Sequence, residues 1–67
     1  MLANLKKALS DKNITLKAYA SFLGVSEKTL QNKIKEETAF TYPEVRKTGE
    51  ELLPEYRVEF LFESRKG

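Results

Sequence analysis

Four polar side chains between positions 27 and 32 carry hydrogen-bond donors and acceptors that could take part in recognition. They are Glu27, Lys28, Gln31 and Asn32. Gln and Asn can each form two hydrogen bonds with adenine, and Glu can accept a hydrogen bond from cytosine. Lys can donate a hydrogen bond to a base edge or to a phosphate. All four types are also common on solvated helices, and an acidic residue in a first turn complements the helix dipole. Their role therefore depends on the elements that position them.

Other chemistry has little support in the sequence. The 67 residues include no Cys and no His, which removes disulfides, thiolate metal ligands and the commonest general base. The paired glutamates at 36–37 and 50–51 lie in polar runs, and no glycine-rich phosphate loop is present. We therefore expect no enzymatic activity, no cofactor and no metal. A domain this small also leaves little room for a small-molecule ligand.

The four polar candidates lie in a segment with the pattern of two helices joined by a tight turn. Thr15 is a typical N-cap and predicts helix 2 over Leu16–Leu23. Gly24 supplies the positive φ that closes this helix. Ser26 is the N-cap of helix 3, which we expect to end at about Lys35.

The packing residues of this segment fit two helices that cross steeply. Ala20 is small enough to let the helices approach closely, and Leu23, Val25 and Leu30 are placed to fill the wedge between them. Such a wedge holds helix 3 rigidly, with its first residues projecting outward. This is the pattern of a helix-turn-helix, which sets its second helix into the major groove of DNA.

Two further helices flank this unit. Apolar residues at helical spacing predict helix 1 over Leu2–Lys12, with Asn13 as a left-handed cap. Thr41 and Glu44 have the spacing of a capping box, which predicts helix 4 from Tyr42 to about Leu53.

Three more features shape helix 4. Phe40 and Val45 are spaced as a hydrophobic staple across its start, and Pro54 ends it. Gly49, inside the helix, is locally unfavourable by about 1 kcal/mol relative to alanine. We therefore expect Gly49 to allow close packing against another helix.

The tail after Pro54 permits two interpretations. Tyr56, Val58, Phe60 and Phe62 occupy alternate positions, which is typical of a strand. Yet Val58, Leu61 and Phe62 also share one helical face. Because nothing else in the chain has a strand pattern, we expect a short helix 5. The alternative is a strand paired with the same strand of a second subunit. Residues 64–67 are expected to be frayed.

Charge is distributed unevenly along the chain. The net charge is +2, but residues 1–35 carry +5 and residues 36–67 carry −3. The basic half contains the two central helices, which fits attraction of phosphates there. The other explanation is ordinary solubilising lysine.

The chain resembles the Cro and phage-repressor (lambda-repressor-like, XRE-type) helix-turn-helix family. The residues at that family's characteristic positions are Ala20, Gly24, Val25, Ser26, Thr29 and Leu30. Two further segments also resemble those of family members, TLQNKIKEETAFTYPEV and VEFLFE. The likeness therefore covers about residues 2–63. It implies an all-α, compact five-helix DNA-binding domain over residues 1–67, with the helix-turn-helix at about 16–35. It also implies a transcription regulator of a phage or mobile element that binds double-stranded operator DNA as a homodimer.

The resemblance also assigns contact residues. Base contacts fall to the outer face of helix 3, at Glu27, Lys28, Gln31 and Asn32. The phosphate contacts that we expect are Thr15, Lys17, Ser26, Thr29, Lys33, Lys35, Thr38 and Thr41. Thr29 is alternatively an internal first-turn hydroxyl, and Lys33 stands where many members carry an apolar residue. The candidates for a dimer interface, Tyr56, Phe60 and Phe62, alternatively cap the core of the monomer.

Two other functions stay open at this point. One is a protein-interaction module, an antirepressor or adaptor that binds through its acidic half. The other is an excisionase-like architectural protein that bends DNA with modest base selectivity. No apolar run approaches the roughly 20 residues of a membrane span, and no signal-peptide core is present, so we expect no membrane contact and a cytoplasmic location.

Overall fold

The computed structural model describes residues 1–63, and within this range the chain is all-helical. The helices are α1 (Ala3–Asp11), α2 (Leu16–Leu23), α3 (Glu27–Ile34), α4 (Tyr42–Lys47) and α5 (Val58–Leu61). A π-helical segment, Thr48–Leu52, continues α4 and is called the π turn below. The short fifth helix is confirmed, and the strand alternative is wrong for the part of the tail described. The expected fraying of residues 64–67 falls outside the described residues.

Local capping bonds define α2 and α3 at the predicted residues. The Thr15 hydroxyl accepts a hydrogen bond from the Ala18 amide at 3.0 Å, and the Ser26 hydroxyl accepts one from Thr29 at 3.1 Å. Gly24 ends α2 with φ of 76°, a left-handed conformation that glycine adopts without a Cβ clash. The turn between the two helices is therefore only three residues long, Gly24 to Ser26.

The start of α4 is also confirmed. The Glu44 amide donates to the Thr41 hydroxyl at 3.3 Å, and the Thr41 amide donates to Glu44 Oε1 at 2.9 Å. These reciprocal bonds form the predicted capping box. They satisfy two backbone donors that the first turn of a helix otherwise leaves without partners.

The continuation of α4 corrects the prediction of one regular helix to Leu53. After Lys47 the chain widens into the π turn, where the Leu53 amide donates to the Thr48 carbonyl, five residues back, at 2.8 Å. The Thr48 hydroxyl is buried, donates to the Glu44 carbonyl at 2.8 Å and lies 2.7 Å from the Tyr19 hydroxyl. The regular α-helical hydrogen-bond pattern is thus interrupted where Thr48 and Leu53 are fully buried in the core.

The expected close packing at Gly49 is present. A Cβ placed on this glycine would overlap Cγ2 of Val58, the first residue of α5. Because glycine has only a hydrogen atom in place of Cβ, α5 can lie directly against the π turn. Two bonds hold α5 and the preceding loop to α1: Asn4 donates to the Phe60 carbonyl at 3.0 Å, and Lys12 pairs with Glu55.

One hydrophobic core lies between all of these elements. Its buried apolar residues are Leu2, Leu5, Ala8, Leu9, Tyr19, Ala20, Leu30, Ile34, Leu53 and Leu61. Burial raises the pKa of Tyr19 to about 12, so its hydroxyl stays neutral and shares a hydrogen bond with Thr48. Phe22 of α2 is half-buried, with Lys47 Nζ 4.6 Å from its ring centroid. None of the helices in residues 1–63 has both the length and the apolar character to cross a bilayer.

Candidate nucleic-acid interface

Helix α3 has one buried face and one exposed face. Leu30 and Ile34, about one helical turn apart, are buried in the core, and Glu27, Lys28 and Gln31 are exposed. Three of the four candidate base-contact residues are therefore accessible. The fourth, Asn32, is half-buried at the margin of this face.

Two hydroxyl groups in the first turn of α3 bind each other. The Ser26 hydroxyl donates to Thr29 Oγ1 at 2.9 Å while it accepts from the Thr29 amide. The single proton of Ser26 is thus used inside the turn, which corrects its assignment as a phosphate donor. Thr29 accepts that bond and keeps its own proton, so both alternatives for Thr29 are compatible: it lies in the cap and can still donate outward.

Lys33 is the clearest correction to the phosphate-contact set. It is only 8% exposed, because it follows Leu30 by three residues and shares the buried face of α3. Its ammonium group donates to the Ala39 carbonyl and to Glu44 Oε1, both at 3.0 Å. Lys33 therefore joins α3 to the start of α4 and is not available to a phosphate in this structure.

Glu44 connects this buried pair with the capping box. Desolvation opposes ionisation of its carboxyl group, but the Thr41 amide and the Lys33 ammonium more than offset it and hold the pKa of Glu44 below its ordinary 4.5. Thr41 itself is exposed, although its hydroxyl already accepts from the Glu44 amide. One carboxylate thus fixes the loop between α3 and α4 at both ends.

This arrangement predicts how stability depends on pH. The folded pKa of Glu44 is lower than the unfolded one, so its contribution is complete above pH 4.5 and is lost as pH falls through the folded pKa. We expect Glu44→Gln to flatten the fall of the thermal midpoint below pH 4.5 relative to the wild type. Glutamine keeps an oxygen acceptor for the Thr41 amide, and thermal melts from pH 3 to 7 measure the difference. Parallel curves for both proteins would contradict this role.

The remaining candidate phosphate contacts are all exposed. They are Thr15, Lys17, Lys35 and Thr38. Thr15 uses its hydroxyl oxygen as the cap of α2 and retains its proton for a donor bond. The Thr38 amide, in the loop after α3, lies 3.4 Å from the Asn32 carbonyl.

A concavity of about 220 Å³ brings some of these residues together. Its lining residues are Met1, Lys6, Leu16, Gln31, Ile34 and Lys35. Candidates from α3 and its C-cap thus lie beside the first residue of α2, whose neighbours in the chain are Thr15 and Lys17. Lys6 was given no role from the sequence, although it belongs to the basic half and to the polar side of helix 1.

The start of the chain is bonded to the end of α3 next to this concavity. The Leu2 amide donates to the Ile34 carbonyl at 2.9 Å. The Met1 amino group lies 2.9 Å from Glu36 Oε1, and Glu36 adopts a left-handed φ of 69°. These contacts fix α1 against α3, so Lys6 and Lys35 have defined backbone positions.

The aromatic residues of the tail mainly cover the core of the monomer. Tyr56 and Phe62 are half-buried, and Phe62 packs edge-on against Phe40 with ring centroids 5.0 Å apart. Phe60 stacks on Tyr56 at 6.0 Å and remains 42% exposed. Of the three candidates for a dimer interface, Phe60 is thus the one with a large exposed surface.

Comparison of the chain with models of known protein families, with curated proteins and with solved structures finds no match.

Proposed function

We propose that this protein is a sequence-specific DNA-binding regulator of transcription with a lambda-repressor-like helix-turn-helix formed by α2 and α3. In this proposal α3 enters the major groove, and Lys28, Gln31, Asn32 and Glu27 contact base edges. Thr15, Lys17, Thr29, Lys35, Thr38 and Thr41 position the protein on the phosphates. The protein acts by occupying an operator of a phage or mobile element, where it competes with polymerase or another regulator.

The observation that carries this proposal is the division of α3 into two faces. Leu30 and Ile34 are buried in the same core as the small Ala20 of α2, while Glu27, Lys28 and Gln31 are exposed. None of these three exposed side chains has a hydrogen bond or ion pair among those found in residues 1–63. A rigid helix with accessible donors and acceptors is what major-groove reading requires.

The proposal includes a homodimer on DNA. One helix of eight residues reads only a few base pairs, so specific affinity usually needs two half-sites about 34 Å apart. Phe60 and its neighbours supply the candidate surface between subunits.

The experiment that tests this function is selection of bound sequences from a random duplex library, followed by affinity measurements against salt. Enrichment of a short palindromic motif supports a sequence-specific dimer and gives the half-site spacing. A steep salt dependence without enrichment would instead favour an architectural binder. Absence of binding even at low salt would overturn the proposal in favour of a protein-interaction module.

A single substitution in α3 tests the reading role directly. We expect Lys28→Ala to weaken binding to the selected site about tenfold and to relax the preference at one base pair, because Lys28 is exposed in the first turn of α3. Fluorescence anisotropy with the selected duplex and single-base variants measures both effects. Lys7→Ala, at an exposed lysine of α1, is the matched control. An unchanged base preference for Lys28→Ala would remove Lys28 from the reading set.

A further inference from the structure

The concavity lined by residues of α1, α2 and α3 combines apolar and cationic side chains. Its lining residues include two apolar ones, Leu16 and Ile34. They also include two lysines, Lys6 of α1 and Lys35 at the C-cap of α3. The larger groove beside α4 differs, because it mixes Arg46 and Lys47 with two glutamates.

The electrostatic character of this concavity is positive. No carboxylate is among its lining residues, and both lysines are exposed with no ion pair in residues 1–63. Glu36, the residue that follows Lys35, is paired with the amino group of Met1. An anion that enters the concavity therefore meets two cations whose charge is not already neutralised.

The chemistry of this site fits a group that is apolar on one side and anionic on the other. One nucleotide unit of a DNA strand has this character, since the carbon-rich face of its deoxyribose lies next to a phosphate. The position of the site supports the same occupant, because Gln31 lines the concavity and also belongs to the exposed face of α3. Leu16 lines the same concavity as Gln31, so a strand whose bases meet α3 lies close to Leu16.

We infer that this concavity seats one sugar–phosphate unit of the bound DNA strand, with Lys6 and Lys35 on the phosphate and Leu16 beneath the sugar. This inference rests on the proposed function and adds Lys6 as a phosphate contact. It also makes α1 part of the DNA-binding surface, together with α2 and α3. The two lysines neutralise the same phosphate, so their effects on binding are coupled.

The salt dependence of binding tests this site, because each lost phosphate contact lowers the slope of log affinity against log salt by about 0.9. The probe is a mixed-sequence duplex of defined length, since phosphate contacts do not depend on sequence. Because Lys35 still faces the same phosphate, we expect Lys6→Gln to lower the slope by less than about 0.9 and the pair Lys6→Gln with Lys35→Gln to lower it by about 0.9 in total, whereas Lys7→Gln, next to Lys6 on α1, leaves the slope unchanged. We expect the double variant, Lys6→Gln with Lys35→Gln, to lose less affinity than the sum of the two single losses. Thermal melts check that the folded state is equally populated in every variant.

The outcomes separate this inference from the function on which it rests. If the wild type binds the duplex and Lys6→Gln matches Lys7→Gln, the sugar–phosphate site is wrong and the DNA-binding proposal stands. If the effects of Lys6→Gln and Lys35→Gln simply add, the two lysines do not share a phosphate and the site as stated is overturned. If the wild type binds no duplex at low salt, both proposals are overturned.

Discussion

Replacing Lys33 with methionine is expected to lower the free energy of unfolding by about 3 kcal/mol, near the lower limit for breaking a buried ion pair. The side chains of Lys33 and Glu44 are only 10% and 16% exposed, so water cannot fully solvate the carboxylate that remains. The substitution also removes the donor to the Ala39 carbonyl. Urea denaturation followed by far-UV circular dichroism measures the loss. Lys28→Met, at an exposed position of the same helix, should stay within about 0.5 kcal/mol of the wild type.

A second variant separates the two causes of this loss. In Lys33→Met combined with Glu44→Gln, the buried charge is gone but the donor to Ala39 is still missing. We expect the double variant to be more stable than Lys33→Met alone, because a neutral amide is less costly to leave without its partner than a carboxylate. If the double variant is less stable than Lys33→Met, the uncompensated charge is not the main cause. Equal stability of Lys33→Met and Lys28→Met would show that the pair contributes nothing to folding.

Replacing Gly49 with alanine is expected to lower the free energy of unfolding by about 2 kcal/mol through overpacking. The new methyl group would overlap Cγ2 of Val58, a β-branched side chain with little freedom to turn aside. Helix propensity alone favours alanine here by about 1 kcal/mol and would raise the free energy of unfolding. The overpacking is expected to outweigh this gain and to lower that free energy. In a domain of this size the loss corresponds to a fall of about 8–16 °C in the thermal midpoint.

The partner residue provides the control. Val58→Ala removes the methyl group that the new Cβ would meet, at the expense of some half-buried apolar surface. In that background we expect Gly49→Ala to be neutral or stabilising, because only the propensity gain remains. A double-mutant cycle by thermal denaturation measures the coupling. If Gly49→Ala has the same effect in both backgrounds, the contact between the π turn and α5 does not explain the glycine.

These two positions also separate what a pattern in the sequence can predict from what it cannot. The close approach at Gly49 was predicted, because a glycine inside a helix is unfavourable without a packing reason. The identity of its neighbour, Val58, depends on how α5 folds back on the chain. The burial of Lys33 had a weak signal, since it follows Leu30 by three residues and many members of the resembling family carry an apolar residue there. The assignment of Lys33 as a phosphate contact relied on its charge and gave less weight to its position on the helix.

The caps and turns of this protein were determined by the sequence alone. Thr15, Ser26, Thr41 and Gly24 act within three or four residues of themselves, through a side-chain oxygen on a nearby amide or a positive φ. Their geometry therefore needs no distant partner. The all-helical fold of residues 1–63 follows from these signals together with the apolar spacing of each helix.

Only the tertiary structure decided which polar side chains are exposed and which are buried in the core. Lys33 and Lys6 are both lysines of the basic half. Lys33 is buried and paired with Glu44, whereas Lys6 lines a concavity together with Lys35. The π turn likewise depends on Thr48 meeting Tyr19 from another helix. The physical reason is the same in each case. A hydrogen bond across three residues is set by local backbone geometry, whereas an ion pair, a cavity or a buried hydroxyl contact depends on residues that only the folded chain brings together.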